Sequence, residues 1–221
     1  MHEYDPSAQA EGDLYDYSGD TQTADVPTTT DVLPDGRTVV IYGDAEGDTR
    51  FNHHQGDNPY GVKGDCGLVS CQDVLLQHGI NVTEADVVKH AAQNGECVIA
   101  SNPEQSGGTS PESQAQLLRD YGVDAHAEKG DSIDQLANHI EKGQQVIIGV
   151  NAGVLWNDSR YYENGQANHA VTVTAVVRDQ QTGQVLGVVL NDSGDGRTKF
   201  VDANTLTQAW TNTGGQCVVA N

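Results

Sequence analysis

Apolar positions follow two different patterns along this chain. From residue 66 to about 142 they recur at helical spacing, whereas from 145 onward they alternate or run continuously as strands do. Leu68, Cys71, Val74 and Leu75 share one face of Gly67 to His78, and Gly79 follows at a position suited to a helix stop, which predicts a first helix. Thr83 with Asp86 three residues on has the form of a capping box, and Val87, Val88 and Ala91 give the helix it opens an apolar face. Ser110-Pro111 opens a third helix that runs through Leu117 and Leu118 to Tyr121 and stops at Gly122. Asp131 or Ser132 caps a fourth, ending near Lys142-Gly143.

In the second half, Gln145 to Val150 reads as a buried strand and His169 to Arg178 as a half-buried one. The Asp179 to Gln184 turn returns the chain through Val185 to Leu190 as an antiparallel partner. Thr198 to Val201 predicts a further strand, and Ala203 to Trp210 a short helix. Helices first and antiparallel strands afterwards predict an α+β domain.

Ahead of this pattern, a Pro34-Asp35-Gly36 turn leads into a β-branched run ending at Tyr42, which predicts one short strand within Val32 to Tyr42. Gly43 to Pro59 reads as a loop. Residues 1–31 have no cationic n-region and no apolar h-region, so they do not read as a secretory signal. Their composition predicts a disordered acidic leader before a single domain over 32–221, with its core from about residue 51.

Charge sharpens this division. Of the 221 residues, 32 are acidic and 11 are Lys or Arg, a net charge of −21, and half of that charge sits in the first 60 residues. Such a surface cannot neutralise phosphates, which excludes nucleic acid as a direct ligand and disfavours anionic membrane surfaces. No apolar run has a membrane-spanning length. The cysteine usage fits the cytosol and signal-independent export equally.

The four cysteines, at 66, 71, 97 and 217, form no C-x-x-C pair. A zinc set of Cys66, Cys71, His53 and His54 is disfavoured because the two cysteines point to different faces of one helix, so neither metal nor cofactor is implied. Cys97 and Cys217 remain open to pairing. Cys71 shares the apolar face of Leu68 and Leu75 and reads as a small core residue.

Cys66 differs, since it opens a predicted helix directly after Gly64-Asp65, where unpaired N–H groups and the positive dipole end favour thiolate over thiol. A nucleophilic thiolate needs a basic partner, and His169, at the start of a strand beyond the polar segment 161–168, is the best placed histidine. His78 and His90 belong to the helices just after Cys66, and His126 and His139 lie in polar surroundings. Asp192 ends the strand antiparallel to that of His169, so the hairpin brings both to the same sheet end, where the carboxylate can orient the imidazole. Asn191 is the fallback on the opposite face. The segment 191–196 is otherwise a turn, and its spacing is not that of an EF-hand loop.

Together, Gly64-Asp65-Cys66-Gly67-Leu68-Val69-Ser70, the stretch from His169 to Val176, and Leu190-Asn191-Asp192 resemble the Cys, His and Asp boxes of the papain-like cysteine peptidase superfamily. The likeness is to the bacterial C39-like peptidases and related papain-fold toxin domains, and it covers roughly residues 51–221. It implies a helical half carrying the nucleophile and an antiparallel sheet carrying His and Asp. It also implies Cys66 as nucleophile, His169 as base and then acid, Asp192 as orienting carboxylate, and a glutamine upstream that supplies an oxyanion-hole amide. Gln55 is the glutamine available, although it lies eleven positions before Cys66, about twice the usual spacing, and an inserted loop over Asn58 to Lys63 would absorb the difference. Papain's own nucleophile is the second of two nearby cysteines, which keeps Cys71 as the alternative, but that position lies more than a turn inside the helix.

The expected activity is thiol-dependent acyl transfer on a protein or peptide, most simply peptide hydrolysis. Glutamine deamidation and transglutamination use the same triad, and a catalytically silent binding module is the alternative of another class. The toxin resemblance implies a bacterial effector with an immunity protein as partner.

Overall fold

The computed structural model describes residues 26–221. In chain order its elements are β1 (Thr28–Val32), β2 (Thr38–Gly43), α1 (Cys66–Gln77), α2 (Glu84–Asn94), α3 (Pro111–Asp120), β3 (Ala125–Lys129), α4 (Ile133–Glu141), β4 (Gln145–Val150), α5 (Ala152–Leu155), β5 (His169–Asp179), β6 (Val185–Asp192), β7 (Arg197–Asp202), α6 (Ala203–Ala209) and β8 (Gln216–Ala220). Short 3₁₀ turns punctuate the connections.

All eight strands join one antiparallel sheet. The long strand β5 organises it. One edge of β5 pairs first with β4, from Val150↔His169 to Val146↔Val173, and then with β2, from Gly43↔Ala175 to Val39↔Asp179, while the other edge pairs with β6. Beyond β4 lie β8 and then β3.

The pleat sorts side chains onto the two sheet faces. Ile147, Ala170, Val218 and Ala220 meet Leu68, Leu75, Val87 and Leu117 from α1, α2 and α3 on one face. Val146, Ile148, Val150, Val171 and Val219 meet Leu136 and Ile140 of α4 and Leu206, Ala209 and Trp210 around α6 on the other. The sheet is thus covered on both sides, and β4, covered on both faces, is correspondingly a continuous apolar run.

Thr83 accepts from the Asp86 N–H while the Asp86 carboxylate accepts from the Thr83 N–H, which is the capping box expected of α2. Ser110 and Ser132 cap α3 and α4. Ordered structure begins earlier than the composition suggested: Thr28 to Asp31, assigned to the acidic leader, belong to β1 and pair with Val39 to Tyr42. A strand of threonines gains its order from the partner ladder, not from burial, since every residue of β1 is exposed. The remainder of the expected leader, residues 1–25, lies outside the described residues. Among the described residues no helix is long and apolar enough to cross a membrane.

Candidate functional site

Three elements converge where β5 begins and β6 ends. Helix α1 starts at Cys66, with Asp65 as its N-cap residue. The Asp65 carbonyl accepts from the Leu68 and Val69 N–H groups at 2.9 Å each, but the Asp65 side chain makes no cap bond. The amides of Cys66 and Gly67 therefore open the helix without intrahelical partners and add their dipoles at the sulfur. A Cβ at Gly67 would come within 2.5 Å of both Gln114 Nε2 and Thr109 Cγ2, so a larger residue there would displace both side chains.

His169 is the first residue of β5 and is buried. Its Nε2–H donates to Asp192 Oδ1 at 2.7 Å, which leaves Nδ1 to face Cys66. Asp192 is fully buried, and each of its oxygens accepts twice. Oδ1 also takes the Gly194 N–H at 2.9 Å, and Oδ2 takes the Trp156 indole N–H and the Lys199 ammonium at 2.7 Å each. A fully satisfied carboxylate of this kind holds the imidazole in one tautomer and one orientation. The Trp156 ring, centred 5.1 Å from that of His169, backs the imidazole on one side.

These contacts set the charges. Burial disfavours the imidazolium, but the hydrogen bond to Asp192 and the interaction with Cys66 outweigh it and raise the His169 pKa to about 9. Burial likewise works against the Cys66 thiolate. The His169 hydrogen bond and charge, with the Ala170 and Gly67 amides, overcome that and leave the thiol below its ordinary value. Burial would raise the Asp192 carboxyl too, yet His169, Lys199 and Trp156 hold it well below the usual carboxylate range. Both shifts favour the thiolate–imidazolium form of the pair.

A cleft of about 200 Å³ opens beside the pair. Gly64, Cys66, Gly108 and Thr109 line one side, and Gly149, Asn168 and His169 the other. Gln114, on α3, is 5% exposed, lines this cleft, and its amide has no hydrogen-bond partner among the described residues.

Gln55 is brought toward the triad by the fold of the segment between it and Cys66. Its amide donates to the Lys63 carbonyl at 2.8 Å and so closes the base of a loop over 56–62. Inside that loop, Glu84 accepts from the Gly56 and Asp57 N–H groups and from the Asn58 amide. The Gln55 N–H donates to the Ser193 carbonyl at 3.0 Å and its Oε1 accepts from the Ser193 hydroxyl at 3.3 Å, next to Asp192. Gln55 does not itself line the cleft, and one of its two amide hydrogens is committed to Lys63.

The other candidates lie apart. Asn191 points away from His169, donating to the Asp48 carbonyl and accepting from Thr198. Cys71 is fully buried against α3, and burial with the nearby Glu96 and Asp73 charges pushes its thiol far up. Cys97 and Cys217 are both free thiols, Cys217 buried in β8 and Cys97 partly exposed on the α2–α3 connection. Trp156 and Lys199 were missed from sequence; a buried carboxylate at a sheet end requires several donors, but nothing in the spacing says which.

A profile of the Peptidase_C39 like family matches residues 48–218, which include Cys66, His169, Asp192 and Gln55. Among solved structures, a putative C39-like peptidase from Bacillus anthracis aligns at 20% identity with a TM-score of 0.55, covering 78% of this chain and 95% of that one. A double glycine motif protease from an AMS/PCAT transporter, solved with its leader peptide, aligns at 17% identity with a TM-score of 0.47, covering 72% of this chain and 86% of that one. A search of curated proteins gives no match.

Proposed function

Because this chain belongs to the Peptidase_C39 like family of cysteine peptidases, we propose that Cys66, His169 and Asp192 form its catalytic triad, acting on a peptide amide. The observation that carries the reading is the buried His169 to Asp192 hydrogen bond at 2.7 Å, with Cys66 at a helix N-terminus against the same imidazole.

In this mechanism the Cys66 thiolate attacks the carbonyl carbon and the carbonyl electron pair moves to oxygen. The Cys66 backbone N–H stabilises that oxyanion. The intermediate collapses as His169 passes its Nδ1 proton to the leaving amine, giving a thioester on Cys66 and a neutral imidazole. That imidazole then removes a proton from water, which attacks the thioester and releases the acid, restoring thiolate and imidazolium. Asp192 stays ionised throughout and holds the ring. The Gln114 amide is available to bind a carbonyl of the extended substrate beside the reacting bond.

Mass spectrometry of candidate target proteins treated with wild type or Cys66→Ala tests this reading. New termini that require Cys66 support peptidase action. A gain of about one mass unit at glutamine without cleavage would assign the same triad to deamidation. No Cys66-dependent product would contradict a thiol-enzyme reading.

A further inference from the structure

Outside the triad, one group of side chains is arranged as metal ligands are. Among the described residues, His90, Glu96 and Asp120 place three donor atoms within 4.8 Å of one another. Local structure brings them together. Gly95, at φ 70°, ends α2 and turns the chain back, and the Glu96 N–H donates to the Ala91 carbonyl at 2.8 Å, setting Glu96 over the end of the helix that carries His90. Asp120, the last residue of α3, completes the group.

One feature of this cluster is unsatisfied by protein alone. Glu96 is 8% exposed, and its Oε2 has no hydrogen-bond partner although it lies 3.7 Å from His90 Nε2. A buried carboxylate oxygen left in this way is costly. His90 Nε2 also lies 3.0 Å from Asp120 Oδ2, so the imidazole nitrogen faces both carboxylates.

A cation between the three donors gives the orphaned Glu96 oxygen a partner and offsets the facing carboxylates. We propose that His90, Glu96 and Asp120 bind one divalent transition-metal ion of the zinc class through His90 Nε2 and one oxygen from each carboxylate. Zinc bonds to nitrogen and oxygen of about 2.0–2.2 Å place tetrahedral ligands roughly 3.3–3.6 Å apart. The His90 separations of 3.0 and 3.7 Å bracket that range. The imidazole favours zinc over calcium or magnesium, which take oxygen ligands. Water fills the fourth position.

The ion clamps the root of one wall of the cleft. The Glu96 carbonyl accepts from Thr109 Oγ1 at 2.8 Å, and Val98 exchanges backbone hydrogen bonds with Gly107 and Gly108. Gly108 and Thr109 line the cleft beside Cys66. The role is structural, and it departs from the sequence expectation of no metal because the ligands come from the last turns of two helices and the residue after a cap, with no recognisable spacing.

The test uses the full chain stripped of metal with a chelator, titrated with zinc chloride by calorimetry and followed by thermal melting. Glu96→Gln, which keeps the shape of the buried side chain, and Asp120→Asn, at a partly exposed position, are compared with wild type. The proposal predicts one zinc-dependent heat in wild type, weakened at least about tenfold in both variants, and a zinc-dependent rise in melting temperature that both variants lose. Zinc uptake equal in wild type and both variants overturns it, as does a wild type that takes up no zinc at micromolar concentration. A melting rise produced by calcium and not by zinc overturns the assigned chemistry.

Discussion

Cys66 and Cys71 lie five residues apart on the same helix, and their surroundings drive them to opposite chemistry. Cys66 sits at the N-terminus of α1, partly open to a cleft, with the His169 imidazole and backbone amides around the sulfur. Cys71 is little more than one turn further along, where the amides are used by the helix, the walls are Leu68, Leu75 and α3, and the nearest charges are negative. Burial raises both thiols. Only at Cys66 do a paired histidine and a helix end reverse the sign, so reactivity here is set by partners and not by accessibility alone.

The contrast is broken most severely by exchanging roles. Cys66→Ala is expected to lower peptide turnover at least ~1000-fold with an unchanged melting temperature. Cys71→Ala is expected to keep turnover near wild type while removing buried volume and ~1 kcal/mol of stability, measured by denaturant unfolding. Cys71→Ala losing as much activity as Cys66→Ala would mean that the two positions are not distinct. Next in size, Lys199→Met removes one of four donors to Asp192. A hydrogen bond to a charged group is worth ~1.5–3 kcal/mol, so the loss should appear as a ~10–100-fold fall in kcat, greater than any change in KM.

The smallest expected effect is a pH dependence of stability. The His169 pKa, raised to about 9 against burial by Asp192 and Cys66, contributes stability that is present below the ordinary histidine range and lost as pH rises through about 9. Asp65, the residue before the nucleophile, is pushed up to about 8 by burial and by the adjacent Glu84, so its folded form favours the proton and loses stability as pH rises through about 8. Both act in the same direction. His169 should lower the melting temperature between pH ~6.5 and ~9, whereas the Asp65 contribution should fall mainly between pH ~4 and ~8, where Asp65→Asn should flatten the slope. A slope unchanged in Asp65→Asn would remove this residue from the account.

Much of the site was legible because its determinants are local or follow from one hairpin. The capped helix α2, the helix start at Cys66 and the β5–β6 hairpin each rest on short-range rules, and the hairpin alone puts His169 and Asp192 at one sheet end. Strands β3 and β8 were not legible. Ala125-His126-Ala127-Glu128-Lys129 has no apolar run and is ordered by its pairing with β8, while Gln216 to Ala220 is five residues long and derives its strand character from lying between β4 and β3. Trp156 and Lys199 reach Asp192 from α5's C-cap position and from β7, and the cluster of His90, Glu96 and Asp120 forms only when α2 and α3 pack. Such juxtapositions belong to tertiary structure and have no signature in spacing.

If His169 holds Cys66 as a thiolate, alkylation of the native protein will show it. Limiting iodoacetamide at pH ~6, where an ordinary cysteine with a pKa near ~8.5 is almost wholly protonated, should label Cys66 ahead of Cys71, Cys97 and Cys217 when sites are quantified by peptide mass spectrometry. His169→Ala should slow Cys66 labelling markedly, and Asp192→Ala should slow it less than it slows turnover. Labelling of Cys71 before Cys66, or a Cys66 rate unaffected by His169→Ala, would contradict the account.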